Sequence, residues 1–170
     1  MIDEYQYALK WAHRAEREED PFDKFVYCFF ALNALYSKYY ETSERKAIEK
    51  LFDSYYKDAK FKKAIGDILR MTEFQYFIVR RPIKNCRFRN NSSQERYVDT
   101  SIDHAKIKEK SLYRSNKAML MILYQIRCNL FHGNKAFYNE DDQKIMSNAS
   151  SLLLQYVKAM LDGNYIGEVI

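Results

Sequence analysis

The sequence is short of the residues that make turns, since its 170 residues include only four glycines and two prolines. β-Sandwiches and doubly wound α/β folds join many short elements through turns that use these residues. The scarcity therefore argues against both classes and favours long helices joined by few loops. The chain length predicts one domain, residues 1–170, large enough to bury a core of its own.

Cysteine is also scarce, and its pattern argues against two kinds of stabilisation. Cys28, Cys86 and Cys128 are odd in number, widely spaced and free of any C-x-x-C pair. Neither a disulfide framework nor a zinc knuckle is indicated, and a reducing cytoplasm is the expected location. The three histidines are scattered, and no P-loop, G-x-G-x-x-G or H-E-x-x-H motif occurs, so no metal or cofactor is expected.

Long apolar runs are absent as well. No stretch of 18 apolar residues exists, so no membrane span is expected. The beginning of the chain, "MIDEYQYALKWAHRAEREED", is acidic and amphipathic, unlike a signal peptide. The net charge of +5 is mild and permits, without requiring, an anionic partner.

What the sequence has in abundance is helical periodicity and aromatic side chains, with fifteen tyrosines and eleven phenylalanines. Apolar residues recur at helical spacing, which predicts an all-α fold. Six helices are expected, over residues 3–19, 21–40, 43–57, 59–70, 101–131 with a bend near Ser111, and from about 139 to Gly163. Asp20 before Pro21 is a strong helix start, and Asn139 fits the cap of the last helix.

The predicted second helix is apolar almost all round, so it is expected to lie centrally with Asn33 among its buried residues. The favoured interpretation of Asn33 is a hydrogen-bonded core amide, and the alternative is that it faces a polar site. His13 and His104 lie in charged or polar helices and are both expected to be exposed to solvent.

The segment over residues 72–100 breaks the helical pattern and is predicted to be irregular. It contains Pro82 and the turn-prone letters "NNSS". From position 80 to position 96, six bases and one acid give a charge of +5, equal to that of the whole chain. The bases are Arg80, Arg81, Lys84, Arg87, Arg89 and Arg96. Phe88 and Tyr97 are interleaved with them, so the segment suits RNA phosphates and bases, while a solvated basic loop is the alternative.

The stretch "QIRCNLFHGNK" ends an apolar run with Arg127, Asn129 and His132. On one straight helix, Arg127 and His132 are about 140° apart, whereas Asn129 and His132 are neighbours. A left-handed cap at Gly133, or a second subunit across a two-fold axis, is needed to bring them round one cleft. His132 is suited to general acid–base catalysis near neutral pH, and Arg127 to binding phosphate. The alternative is structural: Arg127 in a salt bridge and His132 capping the helix.

The motif "IRCNLFHGNK" resembles the signature of the HEPN superfamily, small all-helical proteins in which an arginine precedes a histidine by a few residues. The upstream stretch "DPFDKFVYCFFALNALY" is similar to the helix that pairs with the motif helix in that group. The resemblance implies a four- to six-helix bundle, a two-fold dimer that builds the active cleft, and ribonuclease activity. Cys128 stands where the family often has a polar residue, which puts the role of Asn129 in doubt. Asn134 replaces a tyrosine that some relatives carry, so regulation through that tyrosine is not implied.

The motif and the resemblance together predict a cytoplasmic, metal-independent endoribonuclease, and the resemblance implies a toxin or antiphage component with an antitoxin or regulatory protein as partner. In this hypothesis His132 is the general acid–base, Arg127 stabilises the transition state, Asn129 orients a partner or substrate, and the basic segment guides RNA. The first alternative is a module that binds RNA or nucleotides without cleaving them. The second is a helical dimerisation or adaptor protein.

Overall fold

The computed structural model describes residues 3–84, 100–131 and 139–161, and within these ranges the chain is helical without any β-strand. The predicted all-α class is confirmed. Eight α-helices occur in the described residues: α1 (Glu4–Arg17), α2 (Pro21–Tyr36), α3 (Glu44–Tyr55), α4 (Ala59–Leu69), α5 (Thr72–Val79), α6 (Ser101–Lys108), α7 (Leu112–Phe131) and α8 (Glu140–Leu161).

Two predicted helix starts are confirmed by their hydrogen bonds. The Asp20 carboxylate accepts from the backbone N–H groups of Phe22 and Asp23, and Pro21 occupies the first turn of α2. The Asn139 side chain accepts from the N–H groups of the second and third residues of α8. These side chains satisfy backbone donors that the helix itself leaves unpaired.

The expectation of an irregular segment from residue 72 is wrong for its first part. Residues 72–79 form helix α5, because Phe74 and Phe77, three residues apart, are buried together in the core. The predicted bend near Ser111 is a full break between α6 and α7. Lys110 has a φ of 55°, and the Ser115 hydroxyl donates to the Lys106 carbonyl, which fixes the angle between the two helices. Six helices were therefore too few.

Helix α8 lies at the centre of the packing, against α1, α2, α4, α5 and α7. Eleven of its residues are buried. Helix α1 contributes the small residues Ala8, Ala12 and Ala15 to the core, and α2 and α7 supply larger apolar side chains. One hydrophobic core includes residues from all eight helices. None of the described helices is long and apolar enough to cross a membrane.

A fully buried polar network ties three helices together inside this core. The Tyr156 hydroxyl of α8 donates to the Asn116 side-chain oxygen of α7 at 2.6 Å. The Asn116 amide nitrogen donates to the carbonyls of Ile65 in α4 and Leu112 in α7, at 3.3 and 2.7 Å. Buried polar groups of this kind are costly unless they are paired, and here the amide is paired at both ends.

Two expectations about buried and exposed polar residues are wrong. Asn33 is exposed, because it lies on the outer edge of α2, away from α8. His104 is only 8% exposed, because α6 packs against α5 and α7, and its Nε2 has no hydrogen-bond partner among the described residues.

Replacing Tyr156 with phenylalanine tests the buried network. The substitution leaves the Asn116 oxygen buried without its donor, so we expect the free energy of unfolding to fall by about 1–3 kcal/mol. Urea denaturation measures the change. Tyr40→Phe is the matched control, since Tyr40 is 55% exposed, and it is expected to have little effect. Equal stabilities for the two variants would contradict the importance of the network.

Candidate active site

Arg127 lies in the last turns of α7 and is held by groups from two other helices and from the end of its own helix. Its Nη1 is 3.1 Å from a carboxylate oxygen of Glu44, in the first turn of α3. Its guanidinium carbon lies 5.3 Å from the ring centroid of Phe29 in α2 and 4.5 Å from that of Phe131 at the end of α7. The cation is thus stacked between two rings and aligned by a carboxylate, which restricts its motion.

The guanidinium is neither fully exposed nor fully satisfied. The Arg127 side chain keeps 22% of its surface accessible, and its Nε is buried with no hydrogen-bond partner among the described residues. An arginine has five N–H donors, so a carboxylate on Nη1 leaves capacity for a second anion. The salt bridge itself agrees with the structural alternative for Arg127, and the spare donors agree with phosphate binding.

Two tyrosines and a cysteine surround the same charge pair. Burial raises the pKa of the Tyr36 hydroxyl, against the opposing effects of a hydrogen bond from Asn33 and of nearby Arg127. Burial, and then the neighbouring Cys128, raises the pKa of Tyr124. Both hydroxyls therefore stay protonated at neutral pH and are able to donate hydrogen bonds. Cys128 is partly exposed.

Asn129 is buried and bonded within the chain, and its role in orienting a partner or the substrate stays a prediction. It is 1% exposed and accepts a hydrogen bond from Gln125, while its amide nitrogen donates to the Lys84 carbonyl at 2.7 Å. At about 100° per residue, Arg127 and Asn129 point to nearly opposite sides of α7. Asn129 therefore anchors the chain at residue 84 against the end of α7.

The described residues before and after positions 85–99 are bonded to each other. Thr100 donates to the Ile83 carbonyl through both its backbone N–H and its hydroxyl, so the described residues that flank the segment meet beside α7. Arg81 and Lys84 are exposed there. Arg80 is instead mostly buried, with its Nη2 3.6 Å from the carboxylate of Asp141 in the first turn of α8.

Several predicted residues lie outside the described part of the chain. They are Arg87, Arg89 and Arg96 of the basic segment, and His132 and Gly133 of the motif. The geometry of the site is therefore that of Arg127 and its surroundings, which end one residue before His132.

Asn33 is bonded to a neighbour on its own helix, and that it faces a polar site stays a prediction. Its amide nitrogen donates to the Tyr36 hydroxyl at 2.7 Å, and the Tyr36 ring meets the Phe29 ring edge-on at 6.3 Å. Since Arg127 lies over Phe29, Asn33 belongs to the periphery of the arginine site.

A second polar cleft, of about 300 Å³, lies between α3, α6 and α7. Its lining carries both signs of charge: Arg45 is paired with Asp103 at 3.3 Å and with Glu49 at 3.5 Å. Lys117 is paired with Asp53 at 3.1 Å. These local pairs leave little net charge for an anion, so the cleft is a weaker candidate than Arg127. Across the three described ranges, no group of three or more His, Cys, Asp or Glu residues is arranged to hold a metal ion.

Glu44 and Tyr124 are the site residues that the sequence reasoning missed. Glu44 follows the capping residue Ser43, where an acid is fully explained by the positive end of the helix. Tyr124 precedes Arg127 by three residues and Cys128 by four, which places it on one face of α7 with both. That spacing was a usable signal, whereas the pairing of Glu44 with Arg127 depends on tertiary structure.

No family model, no curated protein and no solved structure matches this chain.

A double-mutant cycle on Glu44→Gln and Arg127→Met measures how firmly the arginine is held. Both partners are mostly shielded from solvent, so we expect a coupling of about 1 kcal/mol in urea denaturation. The exposed i,i+4 pair Glu140–Lys144 is the control, with an expected coupling of about 0.3–0.5 kcal/mol. A coupling for Arg127 no larger than the control would mean that Glu44 does not position it.

The pH dependence of stability tests whether burial or the Arg45 guanidinium has the larger effect on the pKa of Asp103. Burial raises the pKa of this carboxyl, and the Arg45 guanidinium only partly opposes the effect. The folded state therefore binds the proton more tightly than the unfolded state, and wild-type stability falls as pH rises through this range. We expect Asp103→Asn to be relatively more stable near pH 7 than near pH 4 in urea denaturation. If the stability of Asp103→Asn relative to wild type did not change with pH, Arg45 would cancel the effect of burial on the pKa. A change of opposite sign would mean that Arg45 outweighs burial.

Proposed function

We propose that this protein is a HEPN-like, metal-independent endoribonuclease whose active site is built at the C-terminal end of α7. The observation that carries the proposal is the fixed, partly accessible guanidinium of Arg127, five residues before His132. Arginine binds phosphate through its planar fork, and histidine is the side chain best suited to proton transfer near neutral pH. Without a metal requirement, RNA is the fitting substrate, because its 2′-hydroxyl supplies an internal nucleophile.

In the proposed reaction, the 2′-oxygen attacks the adjacent phosphorus while its proton passes to a general base. The bond from phosphorus to the 5′-oxygen of the next nucleotide breaks, and that oxygen receives a proton. The products are a 2′,3′-cyclic phosphate and a 5′-hydroxyl. His132 performs proton transfer, and Arg127 offsets the negative charge that develops on the phosphoryl oxygens.

Glu44 is proposed to position Arg127 rather than to contact RNA. A guanidinium aligned in advance by a carboxylate and two rings loses less freedom when it binds phosphate. Glu44 also opposes anion binding by its charge, so the spare donors of Arg127 have to exceed that repulsion. Tyr36 and Tyr124 lie close to the same charge pair, and Tyr36, which is 1% exposed and bonded to Asn33, supports the site without contacting RNA.

The wider context is part of the proposal. A homodimer would bring two copies of the motif round one cleft, and Arg81, Lys84 and the remaining bases of the segment would guide RNA towards it. A cytoplasmic toxin or antiphage role, with an antitoxin or regulatory partner, follows from the resemblance to the superfamily alone.

A non-catalytic helical adaptor is the second candidate, and the Arg127–Glu44 salt bridge favours it. In that case the arginine joins α7 to α3 for stability only. Its removal would then lower the melting temperature without any effect on RNA.

RNA cleavage by purified wild type, His132→Ala and Arg127→Ala, with EDTA present, separates these functions. We expect wild type to cleave total RNA or tRNA and to leave 2′,3′-cyclic phosphate ends. His132→Ala is expected to lose about 100-fold or more in rate, which is the usual contribution of a general acid–base. Circular dichroism and sedimentation confirm equal folding and assembly of the variants.

His13→Ala is the matched control, because His13 lies in α1 and is not part of the motif. It is expected to retain wild-type cleavage. Cleavage that survives in His132→Ala, or that requires a divalent metal, would contradict the proposed mechanism. Wild type that leaves total RNA and tRNA intact would instead favour the adaptor or a binding module.

A further inference from the structure

An aromatic groove of about 340 Å³ opens on the outer side of α1 and α2. Tyr7, Trp11, Phe30, Asn33 and Ala34 line it. Tyr7 and Phe30 are 49% and 38% exposed, and the Trp11 ring meets Phe30 edge-on at 4.8 Å. Ligand pockets in proteins start at about this volume and combine apolar walls with a few polar groups. The groove therefore has room for one planar ring system.

Polar groups occur beside the aromatic walls. The Arg14 guanidinium carbon lies 5.7 Å from the Trp11 ring centroid and 4.8 Å from that of Tyr27, so a cation is held next to the groove. Asn33 commits one N–H to the Tyr36 hydroxyl, and no other described residue engages its amide oxygen. The amide oxygen and the second N–H of Asn33 together match the hydrogen-bonding edge of a nucleobase.

The groove adjoins the Arg127 site through two rows of residues on α2. At about 100° per residue, Phe29 and Tyr36 fall on the side of the helix that faces Arg127, whereas Phe30 and Ala34 fall on the side of the groove. Asn33 lies between the two rows and is bonded to Tyr36. A ligand that spans Asn33 thus reaches both the aromatic walls and the surroundings of Arg127.

We propose that this groove binds one nucleobase of a single-stranded RNA whose phosphate lies at Arg127; the inference rests on the proposed ribonuclease function. The base stacks on the face of Phe30, Trp11 packs against it from the side, and Asn33 contacts its hydrogen-bonding edge. Arg14 lies beside the groove as a counter-charge for a neighbouring phosphate. An apolar side chain from a second copy of the chain would use neither the amide oxygen of Asn33 nor the charge of Arg14, so the polar groups favour a nucleotide. The groove then sets the sequence preference of cleavage.

Trp11 makes the test direct, because it is the chain's single tryptophan. Short 2′-O-methyl oligoadenylate, oligocytidylate and oligouridylate serve as probes, since they lack the nucleophile and are not cleaved. We expect saturable quenching of Trp11 fluorescence with different Kd values for the three probes. Phe30→Leu, which keeps the apolar bulk and removes the aromatic face, is expected to raise Kd about tenfold.

Two more variants complete the design. Asn33→Ala is expected to reduce the differences among the three probes, because it removes the group that reads the base edge. Tyr40→Leu, which replaces another exposed aromatic residue outside the groove, is expected to bind like wild type.

The outcomes separate this proposal from the nuclease itself. Quenching without RNA cleavage would support the groove and reject the proposed function. RNA cleavage with no fluorescence response, and with an unchanged cleavage pattern in Phe30→Leu, would reject the groove alone. Fluorescence could instead change with protein concentration and not with RNA, while Phe30→Leu no longer forms dimers. This result would assign the groove to contact between copies of the chain and overturn the proposal.

Discussion

The position of Arg127 depends on how α7 is fixed against α8 and α4, and the buried amide of Asn116 holds these three helices together. Apolar packing alone tolerates small shifts of one helix along another, since many side chains fill space similarly. The hydrogen bonds from Tyr156 to Asn116, and from Asn116 to the Ile65 carbonyl, allow one register. That register determines where the last turns of α7 leave the core. The buried hydrogen bonds of Asn116 thus help to determine where α7 places Arg127.

Once α7 is fixed, Arg127 is held from several sides. Glu44, at the start of α3, supplies a carboxylate, α2 supplies the ring of Phe29, and α7 itself ends with Phe131. Because it is partly buried beside two rings, the guanidinium loses freedom, as the proposed electrostatic stabilisation at phosphorus would require. The opposite face of the same turn anchors Lys84 through Asn129. One end of one helix therefore organises both the candidate catalytic cation and the base of the basic segment.

Much of the fold is predictable from the sequence, because the helices depend on local patterns of residues. Scarce glycine and proline, apolar spacing, and the caps at Asp20 and Asn139 gave the all-α class and the main helices. The errors came from tertiary packing. The sequence does not predict helix α5, because Pro82 and the basic residues after it indicate an irregular segment over residues 72–100. The apolar residues all round α2 predict that Asn33 is buried, but the neighbouring helices cover only part of the surface of α2.

The candidate site was predictable only at the residues of the motif. Arg127 stood out by its place at the end of an apolar run, and the resemblance gave it a role. Its partner Glu44 is 83 positions away, and nothing in the sequence pairs the two. The same limit applies to Asn129: its spacing from His132 suggested a shared face, whereas its burial and its bond to Lys84 arise from a contact between distant segments. The groove at Trp11 also needs two helices side by side, so no linear motif predicts it.

The central claim, that the 2′-hydroxyl of RNA is the nucleophile at this site, has one direct measurement. Wild type is given a short RNA with a mapped cleavage site, and the same RNA carrying a single 2′-deoxynucleotide immediately 5′ of the scissile phosphate. The account predicts that cleavage at that bond disappears in the substituted RNA and continues at other sites. Cleavage of the same bond at an unchanged rate would contradict it, because a nucleophile other than the neighbouring hydroxyl would then be at work.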